Sequence, residues 1–131
     1  MDLSTIEPGV ASRKRQILLV DDDETSCIAL RQVLQRAGFG VTSAGGFQTA
    51  LQVLETEQPV DLLLTDIVMP AGINGIALSR MARLRRRNLK VVYVTGYDVP
   101  GAEREALGPI LRKPVDGALL IHEVRQALAA A

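Results

Sequence analysis

The stretch Ile17-Leu18-Leu19-Val20-Asp21-Asp22-Asp23 decides the fold, because four aliphatic residues stop abruptly at three acids. A short unbroken apolar run of this kind is the pattern of a parallel strand covered on both faces. The pattern returns downstream. Val60 to Thr65 is apolar through Leu62-Leu63-Leu64 and runs straight into Asp66. Val91 to Val94 ends at Thr95-Gly96, and the brief Ile110-Leu111 ends near Lys113-Pro114. A weaker strand is expected from Phe39 to Ser43.

Segments of helical period separate these runs. Leu30, Val33, Leu34 and Ala37 form an apolar stripe that Gly38 closes as a left-handed cap. A second helix is expected from Phe47 to Glu57 with Ala50, Leu51, Val53 and Leu54 inward, and a third on Ala77, Met81 and Leu84. Pro100 and Gly101 allow only a short fourth helix before Leu107. Asp116 to Ala130 carries Leu120, Val124, Ala127 and Leu128 at core spacing. Five strands alternating with five helices predict an α/β, doubly wound, five-stranded parallel sheet with helices on both faces.

The 131 residues carry zero net charge, 47% hydrophobic residues and 3% aromatic, which fits one soluble domain with an aliphatic core. Residues 1 to 15 lack hydrophobic period and read as a flexible tail, with the domain spanning 16 to 131. Met1 to Val10 is too polar for a signal peptide, and no apolar run approaches the roughly 20 residues of a membrane span. Cys27 has no partner for a disulfide, so a cytoplasmic location is expected. Neutral charge argues against direct nucleic-acid binding. Arg80, Arg83, Arg85, Arg86, Arg87 and Lys90 make one end of the third helix basic, and a solvated surface with ordinary salt bridges is expected there.

In an open parallel sheet, ligands bind beyond the carboxyl ends of the strands. Asp21, Asp22 and Asp23, then Asp66, Thr95 and Lys113, stand at those ends. Asp66 alone would read as a loop or capping aspartate. Several carboxylates brought together repel one another unless a cation is present, and Mg²⁺ takes one or two carboxylates plus waters and phosphate. With Lys113 and Thr95 opposite, such a site suits a transferred phosphoryl group.

The sequence resembles the receiver domains of two-component response regulators over residues 16 to 130. The resemblance rests on Leu18-Leu19-Val20-Asp21-Asp22-Asp23, Asp66-Ile67-Val68-Met69-Pro70 with Gly75, Val94-Thr95-Gly96 and Leu111-Arg112-Lys113-Pro114. It implies a flavodoxin-like fold and Asp66 as the nucleophile that takes a phosphoryl group from a phosphohistidine. It implies Mg²⁺, or Mn²⁺ in its place, on Asp22 and Asp66, on Asp21 mainly through water, and on the Val68 carbonyl. Thr95 would bond a phosphoryl oxygen, and Lys113 would pair first with Asp66 and then with the phosphoryl group across a cis Lys113-Pro114 bond. Asp23 is explained as a carboxylate in the first turn of a helix.

The implied partner is a sensor histidine kinase or a histidine phosphotransfer protein, docking near Ser26, Ala29 and the loop after Pro114. No output domain follows the final helix, so a single-domain regulator, or else a fragment of something longer, is expected, monomeric or weakly dimeric, with an acceptor role rather than enzymatic turnover. Three features depart from the family. Ile110 stands where an aromatic switch residue is frequent, and the 17 residues between Thr95 and Lys113 are fewer than usual by about one helical turn, which shortens the fourth helix. The loop after Asp66 also holds an extra residue near Ala71-Gly72.

Two alternatives make different demands. A pseudo-receiver acting only as an interaction module should have lost an acid, the threonine or the lysine, and none is lost. A small haloacid-dehalogenase-like phosphatase would use Asp21 as nucleophile and Asp23 as acid or base, leaving Asp66 without its role. Asp66→Asn would spare that phosphatase, whereas Asp21→Asn would disable it.

Overall fold

The computed structural model describes residues 13–69 and 74–130. Most of the stretch expected to be a tail, and residues 70–73 with the extra residue expected near Ala71-Gly72, lie outside the described residues. The elements are β1 (Gln16–Val20), α1 (Glu24–Arg36), β2 (Gly40–Ala44), α2 (Phe47–Glu55) and β3 (Leu62–Asp66). They continue as α3 (Gly75–Arg85), β4 (Lys90–Thr95), α4 (Gly101–Leu107), β5 (Ile110–Arg112) and α5 (Gly117–Ala129).

All strand pairs are parallel, in the order β2-β1-β3-β4-β5. Winding therefore reverses between β1 and β3, where a crevice opens beyond the strand ends. Register brings those ends level: Val20 lies opposite Thr65, and Asp66 lies opposite Val94.

The period of two along each strand distributes the core between two faces. Ile17, Leu19, Leu62, Leu64, Val92 and Val94 pack against Leu30 and Leu34 of α1 and Leu120 and Val124 of α5. Leu18, Val20, Leu63, Val91 and Tyr93 pack against Ala50 and Leu54 of α2 and Leu78 and Ala82 of α3. Side chains also set the helix starts. Asp23, Asn74 and Asp116 each accept the backbone N–H of the third residue of α1, α3 and α5, respectively. Gly38 takes the expected positive φ of 97° after α1. The fourth helix is short, at seven residues, and buries none of them.

The third helix corrects the expected stripe. Leu84 is 83% exposed, while Leu78 and Ala82 are buried with Gly75 and Ser79. The cause lies at the helix start. A Cβ on Gly75 would fall 2.0 Å from the Asp66 carbonyl oxygen, so this residue must face β3. That contact fixes the rotation of α3 about its axis and turns Ala77, Met81 and Leu84 away from the deepest layer. Smaller differences affect boundaries: β2 starts one residue late, α2 stops at Glu55, and β3 runs through Asp66.

Candidate functional site

Asp21 follows the last residue of β1, and Asp66 is the last residue of β3, so parallel pairing delivers both carboxylates to one crevice. Carboxylate oxygens of Asp21, Asp22 and Asp66 all lie within 4.8 Å of one another. Asp21 and Asp66 are buried, whereas Asp22 is exposed. An all-oxygen set with one open side fits a hard divalent cation that keeps part of its water shell.

Lys113 closes the opposite side. Its Nζ donates to Asp66 Oδ2 at 2.8 Å and to Asp21 Oδ2 at 3.0 Å. The second contact was not anticipated from the sequence, because it joins residues 92 positions apart. Asp21 Oδ1 accepts the Asp23 N–H at 2.9 Å, which orients this carboxylate while Asp23 itself caps α1. The Lys113 backbone N–H donates to the Thr95 carbonyl at 2.8 Å, and the following Lys113-Pro114 bond is cis.

Burial raises the Asp66 pKa, and the Asp21 charge adds to that; Lys113 and the Val68 backbone N–H oppose it without overcoming it. Burial disfavours the Lys113 charge, but hydrogen bonds and charge attraction from Asp66 and Asp21 prevail, so its pKa is raised. The ammonium therefore stays charged between two acids.

Thr95 is fully buried at the end of β4, and its hydroxyl accepts the Tyr97 N–H at 3.2 Å. Val68 and Tyr97 are exposed. Ile110 is half-buried against the α2/α3 side of the core, opposite Tyr93. A groove of about 470 Å³ beside Lys113 is lined by Ser26, Ala29, Val33, Pro114 and Val115. It joins the exposed side of α1 to the start of α5.

Residues 17–125 match the response regulator receiver domain. The chain belongs to the response regulator receiver family. It is similar to the response regulator receiver protein CpdR of Brucella abortus, 35% identical over 89% of this chain and 99% of that protein. It is also similar to the C4-dicarboxylate transport transcriptional regulatory protein DctD of Pseudomonas aeruginosa, 38% identical over 86% of this chain but only 25% of DctD. A solved receiver protein from Sinorhizobium medicae superimposes with a TM-score of 0.80 at 31% identity, covering 90% of this chain and 97% of the other.

As a receiver, the chain is a phosphoaccepting response regulator of the two-component type rather than a turnover enzyme. Receivers bind Mg²⁺ at an acidic pocket and work with histidine kinases or phosphotransfer proteins; the aspartate cluster is compatible with that ion. The phosphatase and pseudo-receiver alternatives are not favoured. Among the described residues, no helix is long and apolar enough to cross a membrane.

Two contributors to the site were not read from sequence in their physical roles. Gly75 is needed for close approach to the Asp66 backbone, whereas in the sequence it stood only as part of the motif after Asp66, with no packing role read from it. The Val68 backbone N–H weakly favours the charged Asp66 carboxylate, an influence to which its side-chain type gives no clue.

Proposed function

We propose that Asp66 is the phosphoacceptor and that Asp21, Asp22, Val68, Thr95 and Lys113 serve it. The observation that carries this reading is the placement of Asp66 at the end of β3, 2.8 Å from Lys113 and inside a cluster of three carboxylates. An Asp66 carboxylate oxygen attacks the phosphorus of a phosphohistidine, the P–N bond breaks, and the imidazole leaves with the electron pair. Lys113 transfers its contact from Asp66 to an equatorial phosphoryl oxygen, while Asp21 keeps the ammonium oriented. Thr95 then donates its hydroxyl to another phosphoryl oxygen.

Asp21, Asp22 and Asp66 with the Val68 carbonyl would hold Mg²⁺ or Mn²⁺. When bound, the ion would neutralise the carboxylates and the incoming phosphoryl oxygens. The acyl phosphate is lost slowly to water, with Val68 and Tyr97 assigned to the approach because each is exposed and lies two residues beyond a strand-end site residue, Asp66 or Thr95. The α1/α5 groove beside Lys113 receives the kinase or phosphotransfer helix. The working unit is a cytoplasmic receiver at 16–131 behind a tail at 1–15. The receiver acts, as a monomer or weak dimer, through protein contacts or phosphorelay and without direct nucleic-acid contact.

Intact-protein mass after incubation with a small phosphodonor, with and without Mg²⁺, tests the reading. A single Mg²⁺-dependent phosphoryl adduct is expected, absent in Asp66→Asn. An adduct that survives in Asp66→Asn would assign the acceptor elsewhere. Val68→Asn and Tyr97→Ala should change its decay rate, and unchanged rates would remove both residues from the water path.

A further inference from the structure

The outer face of α3 combines an apolar anchor with unneutralised positive charge. Leu84 is 83% exposed, and Met81 lies one turn before it, half-buried at the edge of the same face. No acidic residue occurs from Gly75 to Lys90, although the chain as a whole is neutral. Three cations of this segment are engaged internally, Arg83 among them through a long 3.5 Å hydrogen bond from its Nε to the Leu89 carbonyl. Arg85 pairs with Glu55, and Arg86 donates to the carbonyls of Leu54, Thr56 and Gln58. Among the described residues, Arg80, Arg83, Arg87 and Lys90 make no ion pair.

At the end of α3 this charge meets a concavity of about 440 Å³, walled by Arg87, Lys90 and Arg15 over Leu89 and Leu128, with Asp61 in its wall already paired to Arg15. It lies at the amino-terminal edge of the sheet, opposite the carboxylate cluster. The tethering of Arg86 to the α2 end and the loop after it holds α3 in place, so the surface is presented by a fixed element rather than by a loop.

We propose that the outer face of α3, centred on Leu84 and continuing to Arg87 and Lys90, docks an acidic, amphipathic segment of a partner protein. An apolar side chain of that segment packs on Leu84 and Met81, and its carboxylates meet Arg80, Arg83 and Arg87. Charge complementarity selects the occupant: an exposed leucine within a wholly cationic segment repels a basic partner and suits one with an apolar stripe between acids. A nucleic acid fits less well, because the exposed aromatic Tyr97 follows β4 at the opposite end of the sheet, leaving no stacking platform beside Leu84.

The test titrates the isotope-labelled full chain with a synthetic amphipathic helix of about 15 residues bearing leucines on one face and glutamates elsewhere, beside a lysine-for-glutamate control. Amide shifts should concentrate on α3 with the acidic peptide and be absent with the control. Affinity should fall about tenfold in Leu84→Asp and at least about fivefold in Arg87→Glu, and should weaken with salt. Both residues are exposed, and unchanged melting curves will separate lost docking from lost folding. Absence of α3 shifts at millimolar peptide, equal binding of the control, or unchanged affinity in both variants overturns the proposal. Tighter binding of a single-stranded oligonucleotide or tripolyphosphate than of the peptide also overturns it, in favour of a phosphate-binding surface. Phosphorylation at Asp66 is not required for any of these readouts.

Discussion

Strand β3 runs between two aspartates whose environments have opposite effects. Asp61, one residue before the strand, receives Arg13 at 2.8 Å and the Gln16 backbone N–H at 2.7 Å, with Arg15 at 3.7 Å. Burial alone would raise its pKa, but these donors and charges prevail and lower it. Asp66, at the other end, shares one lysine with a second carboxylate, and burial raises its pKa. Their side chains are similarly covered, at 14% and 10% exposure. The difference is supply of positive charge. Asp61 is well supplied and ties the start of the domain to β3, whereas Asp66 stays short of cation, in keeping with the phosphoacceptor role proposed for it.

The most severe challenge to the Asp66 end is Gly75→Ala. Its added methyl must displace the Asp66 carbonyl or α3, so a loss of about 3 kcal/mol or more is expected in denaturant unfolding, with weakened Mg²⁺ binding. A loss within experimental error would show that α3 can retreat freely and does not set the position of Asp66.

Neutralising the two aspartates should move stability in opposite directions. Asp61→Asn should cost about 2 kcal/mol at neutral pH, because charged hydrogen bonds are lost. Asp66→Asn should stabilise by about 1 kcal/mol, as is common when a charge-strained functional group is neutralised. Chemical denaturation at pH 7 without Mg²⁺ checks both signs, and destabilisation by both would erase the contrast.

The pH profiles sharpen it further. Asp61 has a lowered folded pKa, so its contribution is present above its ordinary value of 3.8 and is lost as pH falls through the folded value. Wild type and Asp61→Asn should converge in that acid range. Asp66 has a raised folded pKa, so its ionisation lowers stability as pH rises from 3.8 through the folded value. The advantage of Asp66→Asn should therefore grow over that interval and shrink on adding Mg²⁺, which stabilises the wild-type site by preferential binding to the folded state.

Tyr93→Phe probes the interior between the two ends. The Tyr93 hydroxyl lies 2.6 Å from Ser79 Oγ, joining β4 to α3 in the core, and its removal should cost about 1 kcal/mol in thermal or denaturant unfolding. The smallest effect is expected from Arg112→Gln. Its pairing with Asp98 is exposed at both partners, so stability should change by less than about 0.5 kcal/mol.

Local pattern made much of this molecule legible. Continuous aliphatic runs marked the three central strands, and the stripes of α1, α2 and α5 pointed inward as their spacing required. The acids and the lysine were readable because each ends a strand, and parallel strands place such ends on one edge. The α3 stripe was not readable. Ala77-Met81-Leu84 and Leu78-Ala82 both fit a helical period, and periodicity alone does not say which is buried.

By itself, the sequence determined the alternating α/β architecture and the residues gathered at the carboxyl edge, since both follow from periods of two and 3.6 and from where apolar runs stop. Tertiary structure alone decided the rotation of α3, the sharing of Lys113 between Asp21 and Asp66, and the opposite pKa directions of Asp61 and Asp66. Each depends on distances between residues remote in the chain, where close packing and the local balance of charge, rather than residue type, set the outcome.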